Sequence, residues 1–165
     1  MKPKGLDVLF HDTLKDIYYA ERKLLKALPK MARAAQSDDL KAAFTAHKAE
    51  TEEQKARLDR VFEILGKRAA GKTCPAIDGI LDEGDEILEE YKDTPTLDAG
   101  LIAAAQAVEN YEIARYTALH AWAKALGHEE AATLLAETLA EETAARGKLE
   151  KMMPSHLPDL SIAAE

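Results

Sequence analysis

Residues 6–31 read LDVLFHDTLKDIYYAERKLLKALPKM, and their apolar side chains recur every three or four positions. That spacing is typical of one buried face of an α-helix. A single carboxylate, Glu21, stands in the middle of this otherwise apolar stripe. The eight positions of the stripe are Leu6, Phe10, Leu14, Ile17, Glu21, Leu24, Leu28 and Met31. Because an unpaired buried carboxylate is costly, the stripe predicts that Glu21 is protonated, paired or bound to a metal.

Three further segments, residues 40–65, 97–126 and 129–153, carry the same helical periodicity. Their stripes are apolar at both ends and polar near the middle. The polar positions are His47, Glu50, Thr51 and Gln54 in the first segment, Glu112 in the second and Glu142 in the third. Short turns near Ser37 and Gly127 separate the four helices into two pairs. These turns predict two antiparallel helical hairpins.

The two predicted hairpins are joined by a long connection, residues 67–96, which contains a short amphipathic helix. A connection of this length can return the chain along a bundle, whereas a short loop makes neighbouring helices antiparallel. The sequence therefore predicts an all-α, ferritin-like four-helix bundle whose long crossover carries a short fifth helix. We expect one domain, residues 1–165, with a C-terminal tail over residues 154–165 that begins at Pro154.

The composition narrows the classes of partner. The chain has 165 residues, of which 47% are hydrophobic and 32% charged, as in a soluble helical protein. A net charge of −8 argues against a nucleic-acid or anionic-membrane partner. The single Cys74 excludes an intramolecular disulfide and a cysteine-based zinc site. Residues 1–7 show no apolar signal segment, and no apolar run reaches membrane-spanning length, so we expect a cytoplasmic protein.

The polar positions of the first hairpin are predicted to lie at one level. Reflecting Glu21 about the turn near Ser37 places it opposite Glu53, within one helical turn of Glu50. Glu50 lies nearer the buried stripe than Glu53 and is the favoured partner, although Glu53 remains an alternative. His47 shares a helix face with Glu50. It would bind a metal, orient a ligand, or act as a core histidine bonded to Glu21.

The second hairpin gives a matching result. Reflecting Glu112 about the turn at Gly127 places it opposite Ala144, within one turn of Glu141 and Glu142. Glu142 lies nearer the stripe and is favoured, with Glu141 as the alternative. Packing the two hairpins together would then bring four carboxylates to one level of the core.

Four buried carboxylates repel one another unless cations or protons neutralise them. Two metal ions are the simpler solution, and iron, or alternatively manganese, suits an oxygen-rich site with one histidine. Di-iron bundles commonly use a Glu-x-x-His motif on two helices. Here the order is reversed in His47-x-x-Glu50, and Glu109 could supply an additional carboxylate. The predicted metal ligands are Glu21, His47, Glu50, Glu109, Glu112 and Glu142.

Four stretches carry a resemblance to a known family: LKDIYYAE at 14–21, HKAET at 47–51, ENYEIARY at 109–116 and LAEE at 139–142. On these four stretches, the chain is identified as a member of the YciE/YciF family of bacterial ferritin-like proteins. The resemblance extends from Leu6 to Leu149. The segment at 109–112 is also similar to the third helix of rubrerythrins. The resemblance implies a ferritin-like fold, a dinuclear iron site, a role in stress and a homodimer.

The chain departs from the family pattern in two places. Asn110 stands where a histidine is usual, and Arg146-Gly147 stand where acidic residues usually follow the Glu-Glu pair. The hairpin reflection places Arg146 at the level of Glu109 and predicts that the two side chains can pair. Such a pair would compete with metal binding by Glu109.

The sequence supports three hypotheses of function. The first is a di-iron carboxylate protein that oxidises Fe(II) with oxygen or peroxide, and whose turnover as a ferroxidase or peroxidase-type enzyme is open. Its partners would be metal ions and small oxidants. The alternative is a metal-free structural or stress interaction protein whose carboxylates pair with nearby polar side chains. A third is a peroxidase or an enzyme similar to manganese catalase.

Overall fold

The computed structural model describes residues 4–162. Residues 1–3 and 163–165, which belong to the predicted N-terminal segment and tail, lie outside the described residues. The described chain forms five α-helices: α1 Leu6–Ala34, α2 Asp38–Ile64, α3 Pro75–Glu90, α4 Leu97–Ala125 and α5 Glu129–Met152. Two short 3₁₀-helices, Met153–His156 and Leu160–Ile162, follow in the segment predicted as a tail. Residues 4–162 contain no β-strand, which confirms the all-α prediction.

The four long helices form the predicted bundle. α1 packs against α2 and α4, and α5 packs against the same two helices, so the four enclose one interior. The crossover helix α3 packs outside this bundle, mainly on α4 and also on α1. The ferritin-like arrangement of two hairpins joined by a long crossover is therefore confirmed. None of the helices within residues 4–162 has the length and apolarity that crossing a membrane requires.

Glycines follow the carboxyl ends of α2 and α4. Gly66 follows α2 with φ of 63°, and Gly127 follows α4 with φ of 77°. Glycine adopts this left-handed conformation without the steric cost that a Cβ would impose. At Gly127 the conformation lets the chain reverse within three residues and begin α5.

Asp98 ties the two hairpins together at one end of the bundle. Its side chain lies at the start of α4 and is only 7% exposed. Its two oxygens accept hydrogen bonds from the backbone N–H groups of Gln36 and Ser37, each at 2.8 Å. Those donors lie in the turn between α1 and α2. The carboxyl group of Asp98 thus connects the first turn of the second hairpin to the loop of the first.

The core is apolar at both ends and polar in the middle. Large apolar side chains such as Phe10 and Phe62 fill one end, and Leu28 and Phe44 fill the other. Between them lies a layer of buried polar side chains: Glu21, His47, Thr51, Gln54, Glu109, Glu112, Thr138 and Glu142. All four long helices contribute to this layer. It contains the candidate site.

Candidate metal centre

Four side chains from three helices converge in the polar layer. They are His47 from α2, Glu109 and Glu112 from α4, and Glu142 from α5. Each offers one ligand atom, and these four atoms lie within 4.8 Å of one another. All four side chains are buried. Imidazole nitrogen and carboxylate oxygen are common ligands of iron, manganese and zinc, so the group could hold a metal ion.

The histidine approaches two of these carboxylates with the same nitrogen. His47 Nε2 lies 3.0 Å from Glu109 Oε1 and 3.8 Å from Glu142 Oε2. Although the shorter distance suits a hydrogen bond, the ring N–H does not point at the oxygen, and Nε2 has no aligned partner. Nε2 is therefore directed into the centre without a hydrogen bond that satisfies it.

Oxygens of the buried carboxyl groups also lack hydrogen-bond partners. Seven buried carboxylate and imidazole atoms of the layer have no hydrogen-bond partner, and Gln54 Oε1 is an eighth such atom. The seven are Glu21 Oε2, His47 Nε2, Glu109 Oε2, both oxygens of Glu112 and both oxygens of Glu142. A buried polar atom without a partner costs about 1–3 kcal/mol, and more if it is charged. Protons shared between the carboxyl groups, or a bound cation, would satisfy these atoms, so the layer could hold a metal ion.

Glu21 lies beside the group and is fully buried. Its Oε1 accepts a hydrogen bond from the hydroxyl of Tyr116. Burial raises the pKa of Glu21 to about 7, against the lowering effects of Tyr116 and of the positive charge on His47. The negative charge of Glu109 adds to the increase. Without a cation, Glu21 is therefore largely protonated below neutral pH.

The other buried groups have altered pKa values for similar reasons. Burial, followed by the charge of Glu21, raises the pKa of Glu112 well above its ordinary value. Burial, followed by the charge of Glu112, does the same to the pKa of Glu142. Burial opposes the charged form of His47, but the nearby carboxylates of Glu109 and Glu50 outweigh it and raise its pKa to about 9. The centre therefore attracts positive charge and retains protons when no metal is bound.

Glu50 takes a different position from the one the hairpin reflection suggested. Its side chain is 44% exposed, and its Oε2 lies 3.2 Å from His47 Nδ1. It thus contacts the outer nitrogen of the histidine, while the inner nitrogen faces Glu109. The cause is local: residue 50 follows His47 by three positions and lies at the edge of the buried stripe. Metal binding by Glu50 stays a prediction.

The two alternative carboxylates lie outside the centre. Glu53 is exposed on α2. Glu141 forms a two-fold hydrogen-bonded ion pair with Arg57, at 2.6 and 2.7 Å, and accepts a bond from Gln54 at 3.1 Å. Burial opposes ionisation of Glu141, but Arg57 and Gln54 outweigh it and lower its pKa. Glu141 therefore has its own cation and does not require a metal.

Within residues 4–162, neither departure from the family pattern forms an ion pair or hydrogen bond with the buried carboxylates. Asn110 is exposed, and its side chain donates to the backbone oxygen of Gln106 at 2.9 Å. The predicted pair between Arg146 and Glu109 is wrong, because the Nε of Arg146 lies 3.6 Å from Glu150 on its own helix. Glu109 instead faces His47. Its carboxylate is therefore not neutralised by arginine.

Sequence reasoning did not identify the roles of Arg57 and Asp98. Arg57 lies on the edge of α2 and reaches across to α5, whereas hairpin reflection compares only helices within one hairpin. Asp98 lies in the first turn of α4, where the periodicity predicts only that a helix begins. An acidic residue in the first turn of a helix can accept hydrogen bonds from backbone N–H groups, and this signal could have identified Asp98.

These features define a class of protein: an all-α ferritin-like bundle with a buried histidine–carboxylate centre. Residues 5–159 match the family described as "Domain of unknown function (DUF892)". Because the match spans nearly the whole chain, the chain belongs to this family. The resemblance to YciE/YciF proteins is confirmed by the relatives below.

The alignments with known relatives cover nearly the full length of this chain and of each relative. Protein YciF of Escherichia coli (strain K12) is 43% identical over 150 residues, which are 90% of each chain. The crystal structure of the E. coli stress protein YciF superimposes with a TM-score of 0.88 at 41% identity, over 93% of this chain and 98% of that one. YcfI of Rhodopseudomonas palustris, described as a candidate structural protein, gives a TM-score of 0.87 at 48% identity, over 90% and 95%.

Proposed function

We propose that this protein is a di-iron carboxylate protein that oxidises Fe(II) with a small oxidant during bacterial stress. The observation that supports the proposal best is the set of seven buried, unpartnered ligand atoms in one layer of the core. The description of YciF as a stress protein supports the physiological setting. The metal would be iron, with manganese as the other candidate, because the donor set is one imidazole and several carboxylates.

The charge of the layer favours two ions over one. Glu21, Glu109, Glu112 and Glu142 together carry four negative charges when ionised. Two divalent cations would balance them with His47 neutral. One cation would leave two excess negative charges in a site with little access to water, which is unfavourable. We therefore expect two ions held by carboxylates from α1, α4 and α5.

His47 is suited to bind through Nε2, because this nitrogen points into the centre without a hydrogen bond. Glu50 would accept a hydrogen bond from the Nδ1–H on the opposite side of the ring. A carboxylate in that position holds the imidazole in one orientation and tautomer, and makes it a better ligand. Glu50 would thus orient the His47 ring from the surface side, and Glu109 would lie beside Nε2 on the inner side.

Tyr116 would fix Glu21 through the hydrogen bond to its Oε1, which leaves Oε2 free toward the centre. The apolar side chains at both ends of the bundle limit entry of water. When bound, two Fe(II) ions would supply the two electrons that convert dioxygen and two protons into hydrogen peroxide. The buried carboxyl groups with raised pKa values could hold such protons near the centre.

Elemental analysis of the purified protein, reconstituted anaerobically with Fe(II), tests the proposal. We expect two irons per chain in the wild type and fewer than one in Glu112→Gln/Glu142→Gln, which keeps size but removes two charged ligands. Glu141→Gln is the matched control because its side chain pairs with Arg57 outside the centre. Equal iron in the double variant and the wild type would reject these ligands. Oxygen uptake on addition of Fe(II) would then test the redox step.

A metal-free structural or stress interaction protein is the second candidate. The description of YcfI as a candidate structural protein favours it. In that case the raised pKa values would keep Glu112 and Glu142 protonated and uncharged. This candidate predicts no stoichiometric metal and no change in melting temperature on chelation. Oxygen release from peroxide by manganese-loaded protein would instead indicate a catalase.

A further inference from the structure

An apolar cleft enters the bundle from the side and reaches the acidic centre. Its open space, including the solvent at the mouth, is about 520 Å³, and it admits molecules about the size of water. All four long helices contribute to its wall. Nine of its thirteen lining residues are apolar, among them Leu28, Phe44, Val108 and Leu149, so the wall offers few groups that could solvate an ion.

The mouth of the cleft lies between α2 and α5. Ala43 on α2 and Ala145 on α5 are half-buried there, and Lys148 is exposed. Glu50 also lines the cleft and is partly exposed. Because the two alanines carry only methyl groups, they leave a gap that a larger side chain at either position would fill.

The inner end of the cleft is formed by two members of the centre. His47 and Glu109 both line it, and both are buried. His47 Nε2 and Glu109 Oε2 are two of the atoms that lack a hydrogen-bond partner. A molecule that passes the apolar wall would therefore arrive directly at candidate metal ligands.

We infer that dioxygen enters the centre through this cleft, an inference that rests on the proposed oxidation of Fe(II). The apolar wall favours a small apolar molecule over a hydrated ferrous ion, because moving a charge from water into apolar surroundings is costly. It also favours dioxygen over hydrogen peroxide, which would lose its hydrogen bonds to water along the wall. Iron and oxidant would thus reach the carboxylates by different routes.

Xenon tests the cleft without any metal, because it binds in spaces lined by aliphatic and aromatic side chains. Crystals of metal-free wild type under xenon pressure should show a peak between Phe44, Ala145 and Leu149. Ala145→Phe should remove that peak. Ala144→Phe is the matched control, because residue 144 is exposed on the same helix and does not line the cleft. Absence of the peak in the wild type, or its persistence in Ala145→Phe, would overturn the inference.

Oxygen-dependent oxidation of Fe(II), followed by stopped-flow absorbance, tests the entry itself. Ala145→Phe should slow the reaction about tenfold, which corresponds to about 1.4 kcal/mol of added barrier, with unchanged iron content. Ala144→Phe should react at the wild-type rate. If Ala145→Phe does not fold, Ala43→Leu replaces it, with the exposed Ala42→Leu as its control. An unchanged rate in the cleft variant would overturn the inference.

The two experiments separate the inference from the proposed function. Xenon in the cleft together with stoichiometric iron and a slowed variant supports both. Xenon in the cleft of a protein that binds no iron leaves an apolar gas site but rejects both the proposed function and oxygen entry. Iron oxidation that is indifferent to the cleft variant supports the proposed function and rejects the entry route.

Discussion

Replacing Glu21 by glutamine should stabilise the metal-free protein and destabilise the metal-bound protein relative to wild type. Glu21 is fully buried, and its pKa is raised from an ordinary 4.5 to about 7. Because the folded state holds this proton more tightly than the unfolded state, the stability it contributes is present below pH 4.5 and is lost as the pH rises through 7. At pH 8 the ionised group therefore costs about 3 kcal/mol.

Glutamine removes this cost and retains an oxygen that can accept from Tyr116, although the weaker hydrogen bond loses about 1 kcal/mol. The net gain at pH 8 is about 2 kcal/mol, or an increase in melting temperature of roughly 4–8 °C for a chain of this size. At pH 5 the gain should be close to zero, because wild-type Glu21 is already protonated. With bound metal the order should reverse, since ligand at about a hundredfold above its Kd adds about 2.7 kcal/mol to wild type.

Thermal unfolding by circular dichroism at pH 5 and pH 8, with chelator and then with Fe(II) under anaerobic conditions, measures all four cases. Glu141→Gln serves as the control, because it loses the pair with Arg57 and should not gain stability at pH 8 in chelator. A metal-free Glu21→Gln that is less stable than wild type at pH 8 would refute the account of its burial. An order that does not reverse with metal would refute its role as a ligand.

Asp98→Ala should lower the free energy of unfolding by about 2–3 kcal/mol, measured by urea denaturation, because the backbone donors of Gln36 and Ser37 lose a charged acceptor. Asp98→Asn should recover part of that loss; equal stability of all three proteins would contradict the inter-hairpin role. Cys74 is buried with its Sγ 3.0 Å from the hydroxyl of Tyr111, so a thiol reagent should label it slowly in native protein and readily in urea. Rapid native labelling would show that this part of the crossover opens. Light scattering should give twice the 18.1 kDa chain mass, as the family resemblance implies for a homodimer, whereas the mass of one chain would reject that expectation.

Local periodicity was sufficient to predict the helices. The apolar stripe over residues 6–31 lies within α1, and the predicted ends of the other three long helices differ from the observed ends by at most two residues. The same periodicity placed Glu21, Glu112 and Glu142 in the interior, where all three are fully buried. A carboxylate within an apolar stripe has no other direction to point once the helix packs.

Contacts between the two hairpins were not predictable in the same way. Reflection about a turn fixes which residues oppose each other within a hairpin, but it says nothing of the offset between hairpins. Arg57 reaches Glu141 across that boundary, and Arg146 turns to Glu150 instead of Glu109. Glu50 differs for another reason: a residue at the edge of a stripe can face solvent or core with only a small rotation of the helix.

Anomalous diffraction at the iron absorption edge, from crystals grown with Fe(II) under anaerobic conditions, tests the central claim most directly. We expect two iron peaks inside the bundle, bounded by His47, Glu109, Glu112 and Glu142, with Glu21 beside them. Crystals that diffract well and show iron only at the surface, or none at all, would contradict it.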